Sequence, residues 1–110
     1  MRGEIWLVDF EPAKGGENKK SRPALVVSVN AFNSGPLGLV VVCPITATLR
    51  DNPMHVKLEP QGTGLDKPSC VLCDQPRSAS LQRFGRCLGT VGSRKVLADV
   101  SDRLRILLGL

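Results

Sequence analysis

From Glu4 to Val91 the chain is written in short β-type runs, each cut off by glycine, proline or asparagine, and only after Ser93 does a helical period take over. This switch of period constrains the fold more than any single residue does. β-branched and aromatic side chains fill Glu4 to Phe10 until Pro12 ends the run. Pro23 to Val29 and Leu39 to Cys43 are near-continuous apolar strands, joined by the Asn-, Gly- and Pro-bearing link from Asn30 to Gly38. His55 to Leu58 alternates, as a strand with one exposed face should. Ser69 to Asp74 and Arg86 to Val91 complete the set, with a short helical turn expected at Ala79 to Phe84. Beyond Ser93, a plausible N-cap, Val96, Leu97, Val100, Leu104, Leu107 and Leu108 recur at helical spacing, and Gly109 is placed to end the helix. The pattern predicts a mainly β fold with a C-terminal α-helix: a small, strongly curved antiparallel sheet or barrel with one face closed by the helix.

At 110 residues the chain has room for a single domain, residues 1–110, around one modest core. The longest clean apolar run, Leu39 to Ile45, is far short of the ~20 residues that span a bilayer. Met1-Arg2-Gly3-Glu4 leads straight into a strand instead of the basic start and long apolar stretch of a secretory signal, so the expected location is cytoplasmic, away from the membrane. In that compartment the four cysteines are expected as free, small, buried apolar residues. Cys70 and Cys73 have C-x-x-C spacing, but on a strand such positions face opposite sides and cannot share a metal without a turn.

The net charge is +5, and its distribution says more than its size. Gln75 to Ala98 holds Arg77, Arg83, Arg86, Arg94 and Lys95 with no acid, a set that can make a positive face for phosphates or merely a solvated surface. A single histidine, His55, excludes a two-histidine ribonuclease. No Asp/Glu/His grouping has metal-ligand spacing, and no phosphate-binding glycine loop is present. Residue by residue, the chain is a small basic β-rich domain with scope for nucleic-acid binding.

Four blocks carry a resemblance. Gly3-Glu4-Ile5-Trp6-Leu7-Val8-Asp9-Phe10-Glu11-Pro12 is similar to G-[DE]-x-[WY]-x-x-D-[FL]-x-P, and Lys14-Gly15-Gly16-Glu17-Asn18-Lys19-Lys20-Ser21-Arg22-Pro23 to K-G-[ST]-E-Q-x-x-x-R-P. Val42-Cys43-Pro44-Ile45-Thr46 resembles a strand ending in Thr, and Asp74-Gln75-Pro76-Arg77-Ser78 a [DE]-Q-x-[RK]-[ST] block. In this order, over essentially the whole chain, they resemble the MazF/PemK toxins. Gly16 and Asn18 depart from the usual Ser/Thr and Gln, Met54 stands where some members have Thr, and tyrosine is absent, leaving Trp6 or phenylalanines for base stacking.

The resemblance implies an SH3-like barrel of the MazF/PemK/CcdB kind. It further implies a sequence-specific, metal-independent endoribonuclease of a type II toxin–antitoxin system, which cuts single-stranded RNA by 2′-OH attack on the adjacent phosphate. No cofactor is implied. The implied partners are a second copy in a homodimer and an antitoxin with an acidic, partly disordered tail. The implied catalytic residues are Arg22, Thr46 and Glu17. Arg22 would stabilise the phosphoryl charge, Thr46 would donate to a phosphate oxygen, and Glu17 would orient the 2′-OH or Arg22 or accept a proton. Lys14, Asn18, Lys19, Lys20, His55, Asp74, Gln75 and Arg77 are the candidate RNA-binding residues. Two alternatives stand beside this reading. A gyrase-poisoning toxin of the CcdB kind would depend on the C-terminal helix and need no Arg22/Thr46 pair. A non-catalytic RNA-binding barrel would lose only some affinity without Arg22.

Overall fold

The computed structural model describes residues 1–10 and 21–110. Among them the strands are β1 (Glu4–Asp9), β2 (Ser21–Val26), β3 (Leu39–Thr46), β4 (His55–Leu58), β5 (Ser69–Leu72), β6 (Arg77–Ser80) and β7 (Phe84–Thr90). Two α-helices join them, a short α1 (Asn30–Asn33) and the C-terminal α2 (Arg94–Leu108). The mainly β architecture with a closing helix is the one the periodicity predicts. All the pairings are antiparallel, in the order β4-β5-β3-β2-β1-β7 with β6 attached to β3.

β3 has three partners. One edge pairs with β2 through Val42, Cys43 and Pro44. The other pairs first with β6, from Leu39 to Val42, and then with β5 at Ile45 and Thr46. The ladder therefore forks at Cys43-Pro44, and Pro44, with no N–H to offer, suits a point where pairing lapses. The chain from Leu72 to Arg77 crosses that fork.

β2 and β3 read as near-continuous apolar runs because both faces of the sheet are buried. Ile5, Leu25, Cys43, Ile45, Val71 and Cys73 face the layer closed by Val96, Leu97, Val100 and Leu104 of α2. Val8, Ala24, Val26, Val40, Val42 and Ala79 face a second cluster completed by Met1, Trp6, Phe10 and Phe84. Helix α2 begins as predicted, the Ser93 hydroxyl accepting the Val96 N–H at 3.2 Å, and ends at Gly109 with φ 71°. Its apolar stripe stops contributing at Leu104; Leu107 and Leu108, expected on the core face, are exposed.

Other expectations need correction. Arg77–Ser80 is a strand, and the turn foreseen at Ala79 to Phe84 shrinks to a 3₁₀ turn at Leu81–Arg83. A single helical turn, α1, occupies part of the link after β2. Cys87 is exposed, whereas Cys43, Cys70 and Cys73 are buried. It lies on β7, which ends the ladder beyond β1, and such an edge strand has fewer neighbours to cover it. β5 stops at Leu72, and Cys73 enters a turn in which its N–H reaches the Val71 and Met54 carbonyls. No helix among the described residues is long and apolar enough to cross a membrane.

Burial pushes the Cys43 thiol up to about 12, helped by Cys73 and Asp74. Cys73 is pushed up to about 11, chiefly by burial, against a lowering by Arg103. The folded state therefore keeps protons that the unfolded chain sheds from about pH 9.0, so the stability these thiols confer is complete below pH 9 and is lost between there and pH 11–12. Urea unfolding at pH 8, 9 and 10 should show little change in ΔG between pH 8 and 9 and a fall between pH 9 and 10 that approaches about 1.4 kcal/mol per pH unit for each thiol, and Cys43→Ala should make that fall shallower. A thiol reagent at pH 8 is expected to label Cys87 alone in the native protein and all four cysteines in denaturant.

Candidate functional site

The fork in β3 opens a cleft of about 610 Å³, and six of the candidate residues converge on it: Arg22, Thr46, His55, Asp74, Gln75 and Arg77. Each is set by a strand or a turn. Arg22 stands opposite Val8 in the β1–β2 ladder, which fixes the root of an otherwise exposed guanidinium. Thr46 is the last residue of β3, opposite Cys70. Its Oγ1 accepts the Thr48 N–H at 3.1 Å, which orients the hydroxyl and leaves its hydrogen free for another acceptor.

Arg77 opens β6 opposite Val42, and its guanidinium lies 4.7 Å from the centroid of the Phe10 ring. A guanidinium held over a ring face keeps N–H donors available to anions. His55 opens β4 opposite Leu72, with its side chain only 9% exposed. Its Nε2 is 3.6 Å from Asp74 Oδ1, and its Nδ1 is 3.8 Å from Cys70 Sγ. Burial, and secondarily the Asp74 charge, raises the Cys70 thiol above its ordinary range, so it packs behind His55 and is not a nucleophile.

The connection between β3 and β4 supplies lining residues that sequence reasoning missed: Thr48, Arg50 and Asn52. Asn52 organises this wall. Its carbonyl accepts from His55 N at 3.0 Å, its Oδ1 from Met54 N at 2.8 Å, and its own N–H reaches the Arg50 carbonyl at 3.0 Å. Arg103 of α2 donates Nε–H to the Pro53 carbonyl at 3.0 Å and so ties the wall to the helix. Arg50-Asp51-Asn52-Pro53 carries only turn signals in the sequence, and a turn's chemistry does not tell which way its arginine points. Phe10 is the aromatic residue in the lining; Trp6 packs edge-on against Phe84 and hydrogen-bonds Glu4 instead.

The basic run from Gln75 to Ala98 does not form one face. Arg77 alone lines the cleft, Arg83 donates to the Asp9 carbonyl, and Lys95 pairs with Asp99. Glu17, Lys14, Asn18, Lys19 and Lys20 lie outside the described residues; Phe10 and Arg22, which flank that segment in sequence, both line the cleft. Among the described lining residues three arginines face one carboxylate, Asp74, so the cleft is electropositive. No group of three or more His, Cys, Asp or Glu side chains suited to a metal ion occurs among the described residues. What the arrangement can do is hold a chain of phosphates against fixed guanidiniums and a fixed hydroxyl, beside a turn offering an acceptor and an amide.

The chain is 35% identical to "Endoribonuclease MazF9" of Mycobacterium tuberculosis over 114 residues, covering 99% of this chain and 96% of that protein. It is 37% identical to "Endoribonuclease PemK" of Escherichia coli, covering 97% of this chain and 80% of that one. Among solved structures, MazF from Deinococcus radiodurans superposes with a TM-score of 0.79 at 35% identity, over 98% of this chain and 94% of the other. A MazE–MazF crystal structure from the same organism gives 0.81 at 35% identity, over 99% and 95%. Residues 1–108 match the family described as PemK-like, MazF-like toxin of type II toxin–antitoxin system, and the chain belongs to that family.

Proposed function

We propose that this protein is an endoribonuclease toxin that cuts single-stranded RNA at specific short sequences in the cytoplasm, without a metal ion. The observation that carries this reading is the convergence of Arg22, Thr46 and Arg77 on one electropositive cleft. The nucleophile belongs to the substrate: the 2′-oxygen attacks the adjacent phosphorus, the bond to the 5′-oxygen breaks, and a 2′,3′-cyclic phosphate and a 5′-OH result. The 2′-OH proton leaves to Glu17, the proposed base, and a proton from water reaches the departing 5′-oxygen.

Charge builds on the non-bridging oxygens during attack. A guanidinium is always charged, so Arg22 acts by bidentate electrostatic stabilisation and not by proton transfer. Thr46 donates its free hydroxyl hydrogen to the same phosphate. Arg50 and Arg77, with Lys14, Asn18, Lys19 and Lys20, hold flanking phosphates, while His55, Asp74 and Gln75 address the bases. The protein works as a homodimer, and an antitoxin with an acidic tail competes for the same positive cleft. The complexes among the solved relatives support such a partner: one is titled "Endoribonuclease in complex with its cognate antitoxin from Mycobacterial species".

Incubation with a long RNA in EDTA is expected to give discrete fragments with 5′-OH ends. Arg22→Ala should slow cleavage by about 10²–10³-fold, as loss of a preorganised donor does, while Arg22→Lys keeps part of the rate. Intact RNA from a folded protein that still arrests cells would overturn the nuclease reading and direct attention to gyrase. Arg50→Ala should weaken single-stranded RNA binding at every sequence and lower the log–log salt slope by about 0.7, one phosphate contact.

A further inference from the structure

A carboxylate in a cleft built for phosphates is a liability, since it repels the backbone that the three arginines attract. Asp74 is nonetheless held there firmly. The turn that carries it is closed by hydrogen bonds from Cys73 N to the Met54 carbonyl at 3.2 Å and from Gln75 N to the Leu72 carbonyl at 3.1 Å. Its side chain is 34% exposed at the cleft surface, and among the described residues its one ion-pair partner is His55. The His55 ring, nine-tenths buried, is wedged between the Asp74 carboxylate and the Cys70 thiol. Nε2 faces the carboxylate, so the tautomer with its hydrogen on Nε2 suits this setting, and in it Nδ1 is the acceptor. The Cys70 thiol, kept protonated by burial, can then donate to Nδ1, and the Thr48 carbonyl at 3.9 Å is its other acceptor.

Building on the RNA-cleaving reading, we propose that Asp74 reads a guanine and that His55 is the positioning residue that aims its carboxylate. An ionised carboxylate only accepts hydrogen bonds. On their Watson–Crick edges adenine, cytosine and uracil set each N–H beside an acceptor, which would oppose a carboxylate. Guanine alone offers two adjacent donors, N1–H and the 2-amino group, and the exposed Gln75 amide next in the chain can donate to its O6. With one oxygen of Asp74 near His55, the other is left for the base. This accounts for an acid in a basic cleft and for a buried histidine behind it.

The test uses fluorescein-labelled 2′-O-methyl heptamers, uridine throughout except for a central guanosine, inosine or uridine. They lack the attacking 2′-OH, so anisotropy reads binding without turnover. Wild type should bind the guanosine oligomer about tenfold tighter than the inosine one, which lacks only the 2-amino group. Asp74→Asn and His55→Phe should bring that ratio within twofold, and His55→Gln, whose amide can replace the Nε2 donor, should restore it. If His55 is only a packing residue, His55→Phe lowers the melting temperature or leaves it unchanged while the ratio stays near ten, and the positioning role fails. Equal affinities in wild type, or no binding by the folded protein, overturn the guanine assignment. Cleavage in EDTA at a motif without guanine also overturns it but leaves the nuclease reading intact. A guanosine preference without cleavage does the reverse.

Discussion

The change of partner along β3 is the constraint on which the rest of this molecule depends. Eight residues from Leu39 to Thr46 serve three neighbouring strands, and no regular sheet can let β5 and β6 share one edge without a gap between them. The gap falls where Pro44 removes a donor, so it leaves no N–H of that residue unpaired. Thr46 lies just beyond it, Asp74 and Gln75 cross it, and Arg77 enters β6 on its far side. Arg22 reaches the same space from the strand on the other edge of β3. A single topological fact thus gathers residues far apart in sequence.

Holding the fork open requires a rigid floor, and burial on both faces of the sheet provides it. Leu25 and Cys43 point one way and Ala24 and Val42 the other, all without exposure, so neither strand can slip register without moving an apolar set out of its layer. The buried thiols belong to this floor. Three cysteines beneath the cleft invite a redox or nucleophilic reading, yet burial raises all three above the ordinary thiol range and keeps them protonated. Their use is packing at small volume, with Cys70 the one that also touches a polar side chain of the cleft.

How much of this was legible in the sequence follows from which signals are local. Periodicity, Pro12 and the Ser93 cap are local signals, and they mark β1, β4 and the start of α2. β6 was missed because Arg77-Ser78-Ala79-Ser80 has neither β-branched residues nor alternation; pairing with Val40 and Val41 makes it a strand. The same limit applied at the cleft. Thr46, Asp74, Gln75 and Arg77 were named through motif resemblance, which encodes tertiary proximity indirectly. Arg50 has no such signal, and only the folded wall built around Asn52 brings it to the lining. For the basic run after Gln75 the structure favours the solvated-surface alternative: contiguity in sequence does not become contiguity on a surface.

A division of labour follows from where each residue is rooted. Arg22, proposed to stabilise charge, sits within the β1–β2 ladder, and Thr46 ends a strand paired on both edges. Their geometry is therefore set by backbone hydrogen bonds that the fold cannot relax. Asp74 and Gln75, proposed to address bases, sit on a turn, where substitution disturbs no ladder. Phosphate chemistry is the same at every cut, so it belongs on the invariant scaffold. Base identity has to differ between sites, so it belongs on segments that tolerate change. His55 is the exception that joins the two. It begins a strand, is nearly buried, and transmits the rigidity of β4 and β5 to a carboxylate on the turn, which a reader needs if it is to reject the wrong base by an unmet hydrogen bond.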